Sequence, residues 1–218
     1  MIYPSTIVYV TPQSPSYGLT PYRSLVRQTA PSTEPVSLSE AKEHCRVDIS
    51  DDDAYISTLI SVAREVVEDR LDQTLMQTVW EARYDSFPMW ELVLPRPPAA
   101  AANVTIIYRN EAGVNQTITS DAGDFQADHR TVPARVYPNY AATWPAVRGD
   151  ENSVTVRWTA GHASASDVPA VARHAILLLV GHWSATREPV TVGMTSQNAP
   201  VPLTFETLMA HASHGIYR

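Results

Sequence analysis

The chain of 218 residues has few cysteines, which cross-link small folds, and few glycines, which form catalytic and phosphate-binding loops. Its one cysteine, Cys45, excludes an intrachain disulfide, and no Cys/His spacing indicates a zinc site. With eight glycines it has no phosphate loop, dinucleotide motif or nucleophile elbow. No apolar run approaches the roughly 20 residues needed to cross a bilayer, and no secretory signal pattern is present. We expect no cofactor, no metal, no membrane association and synthesis in a reducing cytoplasm.

Basic residues are also scarce: 16 against 23 acidic ones, which gives a net charge of −7. The segment 37–72 holds ten acidic and four basic side chains, so it carries −6 of that charge. A protein that grips nucleic acid usually presents a basic face. The charge distribution therefore argues against specific DNA binding.

Residues 1–36 are rich in proline and tyrosine, and we predict an extended N-terminal arm. Proline blocks helix interiors and removes backbone donors. Two interpretations stay open: a disordered tail, or an arm that orders against a neighbouring subunit, because tyrosines are common at interfaces. The candidate contact residues of the arm are Tyr3, Tyr9, Tyr17 and Tyr22.

Two helices are expected next. Ser37 and Glu40 form a capping-box pattern that predicts a helix over 38–46. The acidic run 50–53 precedes a second helix, reaching about Asp72, because negative charge favours a helix start. Its predicted buried stripe comprises Ile56, Leu59, Ile60, Ala63, Val67 and Leu71. Its predicted polar face includes Arg64, Glu65, Glu68 and Asp72.

From residue 78 the pattern alternates as in strands, and turn-rich stretches separate strand candidates at 91–94, 104–109, 114–119, 132–137 and 153–159. Helix returns after Pro169, and a last helical piece spans about 203–212. We predict an α+β fold: a small helical core of about four helices, formed by 37–76 and 166–188. A β-rich insertion spans 77–165, and the C-terminal segment spans 189–218.

Candidate chemistry finds bland explanations. The run Asp51–Asp53 is expected to start a helix rather than bind a cation. His44 and Cys45 are adjacent, so they point apart on a helix and do not form a nucleophile–base pair. His174 and His182 can share a helix face but lack further ligands. We therefore predict that the chain is not an enzyme.

A series of short motifs carries a resemblance. The run 34–42, Glu-Pro-Val-Ser-Leu-Ser-Glu-Ala-Lys, resembles the opening of phage head–tail connector proteins. The similarity continues through 44–48, the helix to Leu71, the run 94–98, the strand 154–161 ending in Ala-Gly, and the terminal Tyr217-Arg218. A gene transfer agent, a phage-derived particle, would use the same protein.

The resemblance implies a structural adaptor made in a host bacterial cytoplasm and placed in the virion neck. It implies a ring of identical subunits, twelve in number, on the portal protein, with a stopper or tail-terminator protein below. Double-stranded DNA would pass through the ring without specific binding.

The resemblance also suggests where the contacts lie. The C-terminal segment would dock on the portal, with candidates Leu203, Phe205, Leu208, Met209, Ile216, Tyr217 and Arg218. The alternative is that Leu203, Phe205 and Leu208 pack on this subunit's own core. The acidic helix pair would face the channel through Glu65, Glu68 and Asp72; the alternative is an ordinary solvated face.

Two other classes remain open. One is a different virion component, such as a stopper, a tail-completion protein or a β-domain host-binding module. The other is a small hydrolase, which only the number of aromatic residues favours.

Overall fold

The computed structural model describes residues 22–98, 103–120, 122–186 and 203–213. In these ranges the chain forms four α-helices and eight β-strands. It divides into two compact units. The helical unit contains the described parts of Ser32–Met76 and His162–Arg218, and the β unit contains those of Met1–Pro31 and Gln77–Gly161.

The helical unit is built from α1 (Leu38–Cys45), α2 (Asp53–Leu71), α3 (Ala170–Ala185) and α4 (Leu203–Ser213). The predicted capping box is present: the Ser37 side chain accepts from the Glu40 amide, and the Ser37 amide donates to the Glu40 carboxylate at 2.8 Å. Arg46 and Asp72 end α1 and α2 in the left-handed conformation. These signals fix where each helix begins and ends.

The core of the helical unit lies between α2, α3 and α4. All six residues of the predicted α2 stripe are buried there. The facing residues of α3 are Ala172, Ala175, Ile176, Leu179 and Val180. The apolar spacing of about 3.6 residues in both helices explains this packing.

The β unit has two antiparallel sheets. The first has the order β1 (Ser24–Arg27), β2 (Thr78–Tyr84), β8 (Val154–Ala160), β4 (Thr105–Arg109), β5 (Asn115–Thr119). The second has the order β3 (Leu92–Leu94), β7 (Ala134–Pro138), β6 (Phe125–Asp128). Alternating side chains from both sheets form one core, in which Trp80 and Trp158 are paired directly across β2 and β8.

The larger part of the β unit, Gln77–Gly161, is inserted in the helical unit between Met76 and His162, which lie side by side in space. The His162 amide donates to the Leu75 carbonyl at 3.0 Å, and Met76 and His162 form a parallel bridge. The last residues before the insertion and the first after it are therefore held together by backbone hydrogen bonding.

The predicted α+β class is confirmed, and most predicted strands have counterparts within two residues of the predicted bounds. Two strands were not predicted. β1 lies inside the predicted N-terminal arm, where it pairs with β2 and buries Leu25, so residues 24–27 are part of this chain's own sheet. β6 is short, and it follows a turn-rich stretch that hid its pattern.

Candidate interaction surfaces

Metal chemistry finds no support in the ranges that the structure describes, because no three His, Cys, Asp or Glu side chains there come close enough to hold an ion. Asp52 stands at the N-cap of α2 but its side chain makes no capping hydrogen bond. Asp53 instead pairs with Lys42 of α1 at 2.6 Å. The acidic run acts through its charge near the helix start and through this pair.

The prediction that Glu68 is exposed is wrong. Its side chain is 1% exposed, and Arg64 beside it is 3% exposed. Arg64 donates to Glu68 at 2.8 Å and to Glu34 at 2.8 Å, and the other Glu68 oxygen accepts from the Leu75 amide at 2.8 Å. Burial alone would lower the pKa of Arg64, but the charges of Glu68 and Glu34 outweigh it and raise that pKa. The network holds the segments before and after α2 against the helix, which explains its burial.

The other two channel candidates keep access to solvent. Glu65 and Asp72 are both half-buried, and Glu65 lies 3.7 Å from Arg64. Asp69, one turn from Glu65, is exposed. The acidic surface of α2, formed by Glu65, Asp69 and Asp72, therefore lies beside the buried Arg64–Glu68 pair.

The docking candidates in α4 pack on this chain's own core. Phe205 and Met209 are buried in the helical unit, and Leu208 packs partly against the same core. Own-core packing, the alternative stated for Leu203, Phe205 and Leu208, therefore holds for Phe205 and Leu208, and Met209 packs in the same way. The side chain of Leu203 lies outside the described residues, as do Ile216, Tyr217 and Arg218.

The arm candidates divide in the same way. Tyr3, Tyr9 and Tyr17 lie outside the described residues. Tyr22 packs edge-on against Tyr84, with ring centroids 6.5 Å apart. Burial raises the pKa of Tyr84, and this ring pair anchors the start of β1 to the core of the β unit.

The polar face of the five-stranded sheet carries a buried carboxylate. Glu81 of β2 has no exposed surface, and it accepts from Arg83 at 2.8 Å and from Arg157 of β8 at 2.7 Å. Both guanidinium groups are about half exposed. The two arginines therefore cover the carboxylate and each leave one side in water.

A loop between β2 and β3 displays two large apolar side chains. Met89 is 79% exposed and Trp90 is 71% exposed. Phe87, just before them, stacks on Trp144 with centroids 4.7 Å apart and planes 2° apart. Glu91, just after them, accepts from Arg135 at 2.5 Å. The sequence offered one signal that we did not use, the pair Met89-Trp90 inside a stretch bounded by proline.

The start of this loop is also held. Asp85 accepts from Arg23 at 2.6 Å and from the Asn152 amide at 3.1 Å. The Asn152 hydrogen bond, followed by that of Arg23, holds the pKa of Asp85 below its ordinary value. The loop is thus fixed at both ends while its tip is bare.

A pocket of about 260 Å³ opens on the helical unit. Its lining includes His44, Cys45, Val47, Tyr55, Ile56 and Ser184. Gly181 of α3 forms part of it, and a Cβ at that position would lie 3.1 Å from the His44 ring. The absence of a side chain at position 181 therefore lets the His44 ring lie close to α3 at the edge of the pocket.

An exposed apolar stripe continues from the pocket along α2. Tyr55, which lines the pocket, lies on the same helix face as Val62 and Val66, and all three are exposed. Ile49, in the loop before α2, is 59% exposed. Exposed apolar side chains aligned on one helix face offer surface for contact with another protein.

Part of the chain matches a known protein family. Residues 35–135 match the family model of the phage gp6-like head-tail connector proteins. The match covers just under half of the chain and confirms the resemblance that the sequence motifs indicated.

Solved structures agree in fold over a longer range. A chain in the neck of an empty GTA particle, computed with C6 symmetry, is 20% identical with a TM-score of 0.67, covering 86% of this chain and 94% of that one. A chain in the virion of a native gene transfer agent (GTA) particle is 19% identical with a TM-score of 0.66, covering 86% and 93%. A chain in the neck of a native GTA particle, computed with C12 symmetry, is 18% identical with a TM-score of 0.63, covering 86% and 93%. No curated protein sequence matches the chain.

Proposed function

We propose that this chain is a structural head–tail connector subunit in the neck of a phage-derived particle. The observation that carries the proposal is the connector family match over 35–135, together with a fold shared with neck proteins across 86% of the chain. The role requires contact surfaces and no bond chemistry, and the described residues supply exposed apolar surfaces on both units.

In this proposal twelve copies form a ring on the portal protein and extend its DNA channel. Symmetric necks are described for the GTA particles that contain proteins of this fold, with C6 and C12 symmetry. A stopper or tail-terminator protein would bind the ring from below.

The charge of the helical unit supports a DNA conduit. The stretches assigned to this unit contain 14 acidic and seven basic residues, whereas those of the β unit contain nine of each. Phosphate contacts from lysine and arginine dominate nucleic-acid affinity, so an acidic wall lets DNA pass without sticking. We propose that the channel set is Glu65, Asp69 and Asp72, with Glu68 removed because it is buried.

The two ends of the chain are the proposed contacts outside the described residues. Tyr3, Tyr9 and Tyr17 precede β1, an edge strand, so an arm from there is free to reach a neighbouring subunit. Because Phe205, Leu208 and Met209 pack on the core of the helical unit, the candidates for portal docking are Ile216, Tyr217 and Arg218.

Electron micrographs of purified portal, with and without this protein, test the proposal. We expect an added ring of density under the portal and a wider spread of neck lengths when the protein is limiting. A chain lacking residues 214–218 should fold, as judged by circular dichroism, and leave the portal bare. Density located away from the neck axis, or a portal unchanged by the full-length protein, would overturn the connector role.

A further inference from the structure

We propose that neighbouring subunits in the ring are joined by a knob-and-pocket contact, in which Trp90 of one copy enters the helical-unit pocket of the next. The knob is the loop 85–91, with Met89 and Trp90 at its tip. The pocket is the one lined by His44, Cys45, Val47, Tyr55, Ile56 and Ser184. This inference rests on the proposed connector ring.

The knob is ordered before it meets anything. Asp85 is bonded to Arg23 and to the Asn152 amide, Phe87 is stacked on Trp144, and Glu91 is bonded to Arg135. A loop that is already held in place loses less entropy when the side chain at its tip binds. Tryptophan is also among the residues that contribute most at protein interfaces. The loop has the features of an anchor rather than of a solvated turn.

The pocket suits an indole in size and chemistry. Its volume is about 260 Å³, and an apolar cavity of roughly 150 Å³ already holds a benzene ring. Val47, Tyr55 and Ile56 offer apolar surface. The Asp52 carboxylate and the Ser184 hydroxyl lie in the lining as acceptors for the indole N–H.

The occupant is a second copy because a ring needs two different surfaces on one chain. Subunits related by rotation in a ring meet head to tail, so a knob on one surface must meet a pocket on another. Here the knob belongs to the β unit and the pocket to the helical unit. The exposed stripe of Tyr55, Val62 and Val66 continues from the pocket and provides further apolar contact.

The single cysteine makes the contact testable. Cys45 lines the pocket, and Met89→Cys places a second thiol at the exposed tip of the knob while Trp90 is kept. Assembled particles carrying M89C are treated with a thiol-reactive bifunctional reagent whose spacer is about as long as an indole ring. We expect a ladder of covalent oligomers on a denaturing gel, extending beyond the dimer, because each copy then offers one knob thiol and one pocket thiol.

Two controls define the linkage. In M89C/C45A the knob thiols can join only to each other, so the ladder should stop at the dimer or vanish. In Tyr140→Cys the new thiol is also exposed in the β unit but lies outside the knob, and we expect no ladder. An assembled ring that gives no M89C ladder, or an equal ladder from Y140C, would overturn the knob-and-pocket contact.

Filling the pocket gives a second, independent test. Ala185→Trp alters an exposed residue of the lining and places an indole in the pocket from within. We expect both A185W and Trp90→Ala to lower the number of rings on portals by about tenfold or more, with unchanged circular dichroism, whereas Trp90→Phe retains most of them. Rings counted as normal in W90A would contradict the inference.

The two proposals fail separately. Electron microscopy detects the ring on the portal, and the denaturing gel detects the contact between subunits as cross-linked oligomers. A ring without the linkage between residues 89 and 45 leaves the connector role standing and removes the contact. Cross-linked oligomers without a ring on the portal leave the contact standing and remove the connector role.

Discussion

The helical unit and the β unit each bury a glutamate, but they neutralise it in different ways. In the helical unit, Glu68 is paired with Arg64, and both side chains are almost completely dry. In the β unit, Glu81 is dry while its two partners, Arg83 and Arg157, are half in water. The first carboxylate has one buried guanidinium as its charge partner, and the second has two that are partly hydrated. Two equally buried carboxylates can therefore differ in how much the stability of the fold depends on any one arginine partner.

The largest expected effect is in the helical unit. Arg64→Met should lower the free energy of unfolding by about 3–5 kcal/mol, because it leaves Glu68 charged and buried. Urea unfolding followed by circular dichroism at the helix band measures this cost.

A matched double variant sharpens the result. R64M/E68L removes both charges and should recover more than half of the loss, since an apolar pair of similar volume often replaces a buried ion pair at little cost. If R64M lowers the free energy of unfolding by less than R64M/E68L does, this expectation is wrong.

The β unit should respond less. Arg157→Met leaves Arg83 bonded to Glu81 and should cost about 1–2 kcal/mol. Hydrogen exchange of the β2 and β8 amides reports this locally. R83M/R157M should cost more than the sum of the two single variants, because only the pair leaves Glu81 without a guanidinium; simple additivity would argue against shared cover.

The smallest effect concerns the N-terminus of α1 and depends on pH. Hydrogen bonds from the Ser37 amide and hydroxyl, and then the charge of Arg173, hold the pKa of Glu40 below its ordinary value of 4.5. The lowered pKa means that Glu40 contributes stability above pH 4.5, and that this contribution is lost as the pH falls through the folded value.

Glu40→Gln tests this sign. The variant should be less stable than the parent near pH 7 by less than about 1 kcal/mol, as for other partly exposed pairs. The difference between the two proteins in urea midpoint should shrink as the pH falls below 4.5 and vanish once the Glu40 carboxylate is protonated in the folded state as well. A difference that is constant with pH would show that the charge of Glu40 contributes nothing.

Local rules predicted most of the helices and strands. The capping box at Ser37, the apolar stripe of α2 and the strand alternation from residue 78 each act within a few residues, so sequence spacing reveals them. β1 was not predicted, because its partner β2 lies some 50 residues away and pairing of that range leaves no local pattern.

The interaction surfaces were harder to predict for the same reason. Glu68 lies on the polar side of the α2 pattern. Its burial is supported from outside the helix by the Leu75 amide, which donates to it, and by Glu34, which accepts from its partner Arg64. The bare tip at Trp90 depends on Phe87 meeting Trp144, 57 residues apart. The pocket depends on α1 and α3 converging at Gly181.

The hydrogen bond from the His162 amide to the Leu75 carbonyl has a consequence for how such proteins diversify. Because the chain leaves and re-enters the helical unit at adjoining positions, insertions or deletions between them need not displace α2 or α3. The intervening β structure can therefore change in the length of its loops while the helical unit persists, provided that β2 keeps the edge that pairs with β1.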